Sequence, residues 1–348
     1  MKNIIRVLIV DDSAYVRKVI RQMLSRSPFI EVVGVAHDGE EALDKIEQLG
    51  DRVDVVTLDL LMPKMDGVEF LRRQMARRPL PAIVVSIANE GGEMVLSALD
   101  AGAVDFVHKP TALATEKMFD IGEELIAKVK TAASVPIHCL SVVNESSPIP
   151  PPEKVLSSGR VELVAIGIST GGPQALAFLI PQLPENFPVP VAVVLHMPVG
   201  YTKMYAQRLD HLCALRVREA QAGDLVVPGE VSVAPAGHHL GFKRQPDGSV
   251  TVVLQAKPFD LPHRPSVDVM FQSAAEVYGD RVLGVVMTGM GADGKQGAAW
   301  IKSHGGRILT EAEESCVVYG MPRSLVEAGL SDRSVPLNEM ARAIMESL

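Results

Sequence analysis

The chain has 348 residues, too many for one ordinary hydrophobic core and about right for two domains. Hydrophobic residues make up 47% and charged residues 22%, which is typical of globular proteins and excludes a collagen-like or disordered chain. The three cysteines form no C-x-x-C pair, so neither a disulfide framework nor a zinc ribbon is expected. The net charge is −8, and the segments before and after residue 130 each hold 17 basic and 21 acidic residues. Because neither segment has a basic excess and aromatic residues make up only 4%, we expect no nucleic-acid partner.

The hydropathy pattern gives no membrane signal. The N-terminus reaches Asp11 and Asp12 after a short apolar run, unlike a signal peptide. The longest apolar stretches, such as 189–195, fall far short of the ~20 residues that span a bilayer. We therefore expect a soluble, cytoplasmic protein without membrane insertion.

The first 130 residues alternate between apolar runs and amphipathic stretches. The first amphipathic stretch repeats its apolar residues with helical spacing from Val16 to Leu24, and Asp12 and Ser13 before it are good N-cap residues. The apolar runs predict strands at 4–10, 32–35, 53–58, 82–87 and 104–107. Five strands alternating with five helices predict a flavodoxin-like (βα)5 domain with a parallel sheet over residues 1–130.

Composition changes after this domain. Residues 131–158 contain a Ser-Ser-Pro-Ile-Pro-Pro-Pro tract, which predicts a stiff linker. Residues 159–348 then predict a second doubly wound, mostly parallel α/β domain, with a hairpin near 247–248 and a helix over 266–278 that Ser266 caps. Its strands are predicted at 161–168, 189–195, 230–234, 250–254, 282–287 and 306–309.

Chemically reactive residues of the first domain fall at strand ends, where open parallel sheets bind their ligands. Asp11 and Asp12 follow the first strand, Asp59 follows the third, Ser86 lies in the fourth and Lys109 follows the fifth. Three carboxylates in one place repel each other and need a cation, and oxygen ligands favour a hard ion such as Mg²⁺. With the ion bound, one carboxylate can accept a phosphoryl group.

The first domain resembles the receiver domain of bacterial response regulators. The resemblance rests on Val-Asp-Asp-Ser at 10–13, Leu-Asp-Leu-Leu-Met-Pro-Lys-Met-Asp-Gly at 58–67 and Gly-Ala-Val-Asp-Phe-Val-His-Lys-Pro at 102–110. It implies a histidine kinase as phosphodonor, and it differs from close relatives at Leu61, where they often carry Glu. It also implies phosphorylation at Asp59, Mg²⁺ held by Asp11, Asp12 and Asp59, and switch roles for Ser86 and Lys109.

The second domain contains a G-x-S-x-G pattern at 167–171, directly after a predicted strand. Such a turn exposes the serine hydroxyl of Ser169 beside unpaired helix amides, although the pattern alone is weak and also occurs in phosphate-binding turns. His196 ends the next strand and can accept the serine proton if the two strands are neighbours. His238 and His239 compete for that role and are more easily explained as loop or surface histidines. Asp293 follows another strand and can orient the imidazole.

Two other interpretations remain open at this point. Residues 289–294 fit the dinucleotide pattern G-x-G-x-x-G, with Glu311 at a suitable distance for a ribose. Asp293 would then place a carboxylate where pyrophosphate binds, which is unfavourable. The second domain can also be a binding module without catalysis. The order Ser, His, Asp differs from that of the α/β-hydrolases.

The second domain resembles the catalytic domain of chemotaxis protein-glutamate methylesterases, a family that joins a receiver to it through a linker. The resemblance implies a triad of Ser169, His196 and Asp293 that uses no cofactor, hydrolysis of glutamate γ-methyl esters on chemoreceptors, and deamidation of receptor glutamines. Leu195 and Glu311 differ from relatives, which more often carry Gln. The matching stretches are Gly-Ile-Ser-Thr-Gly-Gly-Pro at 167–173, Leu-His-Met-Pro at 195–198, Arg-Pro-Ser-Val-Asp at 264–268, Met-Thr-Gly-Met-Gly-Ala-Asp-Gly at 287–294 and Val-Tyr-Gly-Met-Pro at 318–322.

Two further expectations concern the reaction and its control. The backbone amides of Thr170 and Met290 are candidate oxyanion donors, because each is adjacent to a triad loop. A receiver on a Pro-rich tether can cover the catalytic mouth, and phosphorylation of Asp59 would shift that equilibrium.

Overall fold

The computed structural model describes residues 4–86, 92–109, 115–137, 161–258 and 260–348, with the side chains of 115–120 left out. The chain divides into two compact units, Met1–Asn144 and Glu145–Leu348. Most of the predicted linker, 131–158, lies outside the described residues, and its boundaries stay predictions. Within the described ranges, no helix is both long and apolar enough to cross a membrane.

The first unit is a five-stranded, fully parallel sheet with the strand order β2-β1-β3-β4-β5, the flavodoxin-like order. The predicted alternation is therefore correct. Its strands are β1 (Ile5–Val10), β2 (Ile30–Ala36), β3 (Val55–Leu58), β4 (Ala82–Ser86) and β5 (Asp105–His108). Its helices are α1 (Ala14–Leu24), α2 (Gly39–Leu49), α3 (Gly67–Arg77), α4 (Gly92–Asp100) and α5 (Thr115–Ala132).

Side-chain caps begin the helices that follow the first three strands. The Ser13 hydroxyl accepts a hydrogen bond from the backbone amide of Val16, as predicted, and Asp38 and Asp66 cap α2 and α3 in the same way. The apolar face of α1 buries Val19, Ile20, Met23 and Leu24. These caps fix where each strand ends and each helix starts, and so fix the loops that carry the acidic residues.

The second unit contains a seven-stranded parallel sheet with the order β14-β13-β12-β6-β7-β9-β8, and a separate antiparallel hairpin, β10-β11. The hairpin turns at Gln245–Ser249, as predicted from Asp247-Gly248. The strands are β6 (Leu163–Ile168), β7 (Val191–Leu195), β8 (Arg216–Glu219), β9 (Glu230–Val233), β10 (His239–Arg244), β11 (Val250–Gln255), β12 (Val282–Val286), β13 (Arg307–Glu311) and β14 (Arg333–Val335).

Helices cover the sheet of the second unit, and α8 packs on both the hairpin and β6. The core between them is mostly aliphatic, and its aromatic members are Phe271 and Tyr278 of α8 and Phe242 of the hairpin. This packing fixes the start of α8 beside the carboxyl ends of β6 and β12. The helices are α6 (Gly172–Leu179), α7 (Thr202–Asp210), α8 (Val267–Tyr278), α9 (Lys295–Ser303), α10 (Met321–Glu327) and α11 (Leu337–Glu346).

Candidate functional site

Three acidic residues meet at the carboxyl edge of the first sheet. Asp11 and Asp59 are buried and Asp12 is exposed, and one carboxylate oxygen from each lies within 4.8 Å of the others. Asp11 and Asp12 follow β1 and Asp59 follows β3, so adjacent parallel strands bring them together as predicted. All the donors are carboxylate oxygens, a set that fits Mg²⁺.

Lys109 joins the same cluster from the end of β5. Its ammonium lies 2.6 Å from Asp11 Oδ2 and 2.7 Å from Asp59 Oδ2. Its backbone amide donates to the carbonyl of Ser86, 2.7 Å away, which places the two predicted switch residues side by side. The five residues singled out in the sequence thus occupy one edge of the sheet.

Burial and the neighbouring charges both act on the pKa of the Asp59 carboxyl. Burial raises the pKa of its carboxyl above the ordinary value, and the Asp11 charge acts in the same direction. The ion pair with Lys109 offsets part of this increase. A second cation at the cluster would favour the ionised carboxylate further, which is the form that attacks phosphorus.

In the second unit, Ser169 lies on a tight turn between β6 and α6. Gly171 has φ +78°, and a Cβ there would come within 2.6 Å of Val317, so the turn requires glycine. Gly289 lies against Ser169, because a Cβ on Gly289 would stand 2.8 Å from Ser169 Cβ. The G-x-S-x-G pattern therefore forms the strand-to-helix turn that the sequence predicted.

The register between β6 and β7 places His196 next to the turn of Ser169. Ile168 of β6 pairs with Leu195 of β7, and the His196 amide donates to the Ile168 carbonyl at 3.2 Å. The next residues, Ser169 and His196, therefore leave neighbouring strands at one edge. His196 Nε2 lies 2.8 Å from Asp293 Oδ2, while Nδ1 is buried and has no hydrogen-bond partner among the described residues. With Nε2 held by Asp293, Nδ1 is the ring nitrogen that remains able to accept a proton.

The Asp293 carboxylate occupies the N-terminus of α8. It accepts hydrogen bonds from the amides of Val267 at 2.8 Å and Asp268 at 3.0 Å, and from the Ser266 hydroxyl at 2.9 Å. Burial by itself raises the pKa of Asp293, but the bonds from His196 and the helix amides outweigh it and lower the net pKa below its ordinary value. Asp293 stays ionised and holds His196 by Nε2–H.

The structure corrects two expectations beside the triad. Ser266 stands at the N-cap of α8 as predicted, but its hydroxyl donates to Asp293 and makes no cap bond to the helix backbone. His239 is fully buried in β10, where its Nε2 pairs with the Pro258 carbonyl and its Nδ1 accepts the amide of Ser266, so it is neither a surface histidine nor a competing base.

One neighbour of His196 carries no signal in the sequence. The ring of His263 stacks on that of His196, with centroids 4.1 Å apart and planes 16° apart. Its position in an irregular segment between β11 and α8 gave no periodic signal that could have marked it.

The two candidate oxyanion donors both lie beside Ser169. Thr170 is the next residue in the turn and is buried, and Met290 follows Gly289, which contacts Ser169. Asp293 directs its carboxylate to His196 and α8, so the 289–294 turn presents a negative group where a dinucleotide would need donors.

Comparison with protein families divides the chain in the same two parts. The family model described as CheB methylesterase matches residues 164–344, and the model described as response regulator receiver domain matches residues 7–118. The flavodoxin-like strand order of the first unit agrees with the second match.

Similar whole chains have both parts. Protein-glutamate methylesterase/protein-glutamine glutaminase 5 of Myxococcus xanthus is 49% identical over 97% of this chain and 96% of its own length. The protein of that name numbered 2 in Methanosarcina acetivorans is 43% identical over 98% of each chain. The crystal structure of the Thermotoga maritima CheB methylesterase catalytic domain, 44% identical, superposes with a TM-score of 0.53 and covers 54% of this chain and 99% of its own.

Proposed function

This chain belongs to the CheB methylesterase family, and on that premise we propose that it is a phosphorylation-activated serine hydrolase. Its substrates are glutamate γ-methyl esters on methyl-accepting chemoreceptors in the cytoplasm, and its role is adaptation in bacterial chemotaxis. The observation that carries the proposal is the His196–Asp293 pair at 2.8 Å, next to the turn of Ser169. A binding module has no need of an ionised aspartate that fixes one imidazole nitrogen beside a serine.

The first half of the reaction acylates the enzyme. Ser169 Oγ attacks the ester carbonyl carbon while His196 Nδ1 accepts the hydroxyl proton. Asp293 accepts the hydrogen bond from Nε2–H and stabilises the imidazolium that forms. The oxyanion receives hydrogen bonds from the backbone amides of Thr170 and Met290.

The second half restores the enzyme. The imidazolium of His196 returns its proton to the departing methoxide, which leaves as methanol, and Ser169 remains as an acyl ester. Water then attacks this ester while His196 accepts its proton, the bond between Ser169 Oγ and the acyl carbon breaks, and His196 returns the proton to Oγ as the glutamate carboxylate leaves. A primary amide follows the same route with ammonia as the leaving group, so deamidation of receptor glutamines needs no additional residue.

The receiver supplies the control. The Asp59 carboxylate attacks phosphorus on the phosphohistidine of a chemotaxis histidine kinase, and the bond to the histidine nitrogen breaks. Mg²⁺, when bound by Asp11, Asp12 and Asp59, neutralises the charge on the transferred phosphoryl group. A phosphate on Asp59 would then be contacted by the ammonium of Lys109, which lies 2.7 Å from Asp59 Oδ2, and by the hydroxyl of Ser86 at the end of the neighbouring strand.

The experiment that tests the function is methanol release from methylated receptor by the full chain, with and without a small phosphodonor and Mg²⁺. We expect hydrolysis that rises with the phosphodonor, and no rise in Asp59→Asn. The matched control is Asp66→Asn, which removes a carboxylate at the cap of α3 but none in the cluster. Equal rates with and without phosphodonor in the wild type would contradict the regulation, and no methanol at all would contradict the activity.

Removal of the receiver tests how it acts. We expect a truncated chain that begins at residue 159 to release methanol several-fold faster than the unphosphorylated full chain, because the receiver then no longer excludes a helical substrate from the catalytic mouth. The phosphorylated full chain should approach the rate of the truncated one. A truncated chain no faster than the unphosphorylated full chain would show that the receiver does not inhibit.

A further inference from the structure

A fully buried carboxylate that the proposed reaction does not use lies behind the nucleophile. Glu311, at the end of β13, is 0% exposed and forms no ion pair with any described residue. Its Oε2 accepts a hydrogen bond from the backbone amide of Thr288 at 2.8 Å, and its Oε1 accepts one from the Ser315 hydroxyl at 3.0 Å. Because removing a carboxyl group from water costs folding free energy, the burial of Glu311 points to a role for its side chain.

Thr288 links Glu311 to the turn of the nucleophile. Its carbonyl accepts the amide of Ser169 at 3.0 Å, and its hydroxyl donates to the carbonyl of Thr170 at 2.9 Å. The same hydroxyl accepts the amide of Val318 at 2.9 Å. Thr288 is itself 1% exposed, so all these bonds are shielded from water.

We propose, resting on the proposed function, that Glu311 and Thr288 are positioning residues for Ser169. Glu311 fixes the Thr288 amide, and Thr288 fixes both Ser169 and Thr170 through its carbonyl and hydroxyl. The pair thereby sets the place of the nucleophile and of the adjacent amide that faces the oxyanion.

The surroundings leave little room to compensate for a lost bond. Without an acceptor at Glu311, the buried amide of Thr288 has no partner, and the loop must move to find one. Gly289 follows Thr288 and lies close to both Ser169 and Met321. A Cβ on Gly289 would be 2.8 Å from Ser169 Cβ and 2.4 Å from Met321 Sδ. A shift of this loop is therefore passed directly to Ser169, and small displacements of a nucleophile are costly for the rate.

The test compares Glu311→Leu with Glu311→Gln in the full chain, with phosphodonor and Mg²⁺ present. Gln keeps an acceptor for the Thr288 amide, whereas Leu fills the space without one. We expect kcat for methanol release to fall about ten- to hundred-fold in the Leu variant at unchanged KM, and to be kept within about twofold in the Gln variant. Val335→Ala, a buried register partner of Glu311 with no bond to Thr288, is the control for destabilisation.

A second pair of variants covers the case that Glu311→Leu does not fold. Thr288→Val loses the hydroxyl at constant shape, and Thr288→Ser keeps it, so we expect a low kcat in the first and recovery in the second. Covalent labelling of Ser169 by a fluorophosphonate should follow kcat in every variant. Because labelling needs no receptor, it tests the positioning even if methyl esters prove not to be the substrate.

Either of two outcomes overturns the inference. One is unchanged kcat and labelling in folded Glu311→Leu or Thr288→Val. The other is an equal loss in Val335→Ala, which would make the effect one of general stability. Inactivity of the wild type towards methylated receptor, with normal labelling, would instead count against the proposed substrate alone.

Discussion

Replacing Ser169 with alanine is expected to reduce kcat for methyl-ester hydrolysis by about a million-fold, the loss typical of a missing serine nucleophile. Asp293→Asn is expected to cost about ten-thousand-fold. The reason lies in the bonds of Asp293. Its Oδ2 accepts both His196 Nε2–H and the Val267 amide, and an amide NH2 at that place would face two donors. The imidazole would then change tautomer and carry its proton on Nδ1. A protonated Nδ1 cannot accept the hydroxyl proton of Ser169.

Methanol release and fluorophosphonate labelling measure both variants, and the double variant separates a shared mechanism from independent effects. Since the triad acts as a unit, the double variant should be no slower than Ser169→Ala alone. Ser303→Ala is the control, because that exposed hydroxyl pairs with the carbonyl of Trp300 and with Nδ1 of His304, at the end of α9, and with no residue of the proposed triad. Wild-type rates from Ser169→Ala would refute the assignment of the nucleophile.

Glu311→Gln is expected to gain stability over the wild type as the pH rises. The difference in unfolding free energy of the second unit between variant and wild type should grow by about 3 kcal/mol from acid to alkaline pH. Burial raises the pKa of Glu311 from 4.5 to about 7, although bonds from Thr288 and Ser315 act in the opposite direction. Between these values the folded chain holds a proton that the unfolded chain has lost. The contribution of the group to stability is therefore complete below pH 4.5 and is lost as the pH rises through 7.

Denaturant unfolding at pH 5, 6, 7 and 8, chosen as roughly the range of this transition, measures the effect. Trp300 is the only tryptophan and lies in the second unit, so its fluorescence reports that unit alone. The gap in unfolding free energy between Glu311→Gln and the wild type should widen as the pH rises. The exposed Glu276→Gln should run parallel to the wild type. A gap that does not change with pH would show that Glu311 is ionised in the folded state throughout.

Much of both sites could be predicted from the order of the strands and helices along the chain. Strands and helices that alternate require a parallel sheet, and a parallel sheet brings its strand ends to one edge. Asp11, Asp59 and Lys109 were therefore predicted at one edge of the sheet, and Ser169 and His196 needed only neighbouring strands to lie close together. The strands β8 and β14 were missed, because short edge strands with charged residues give no apolar run.

Side-chain partners over long separations could not be predicted in this way. Ser266 has the sequence environment of an ordinary helix cap, yet its hydroxyl donates to Asp293. His239 follows a Gly-rich segment typical of a surface loop, and packing of α8 on the hairpin buries it completely. Both errors came from treating a local pattern as the whole environment of the residue.

The sequence alone determined two α/β domains, a cluster of carboxylates in the first, and a serine, histidine and aspartate at strand ends in the second. The tertiary structure decided which imidazole nitrogen faces Asp293, why that carboxylate stays ionised, and that Glu311 and Thr288 stand behind the nucleophile. The physical reason is that strand ends follow from local periodicity, which a sequence displays directly. Hydrogen bonds such as that between His196 and Asp293, 97 positions apart, depend on how α8 and the loops pack around those ends, and no local pattern encodes that packing.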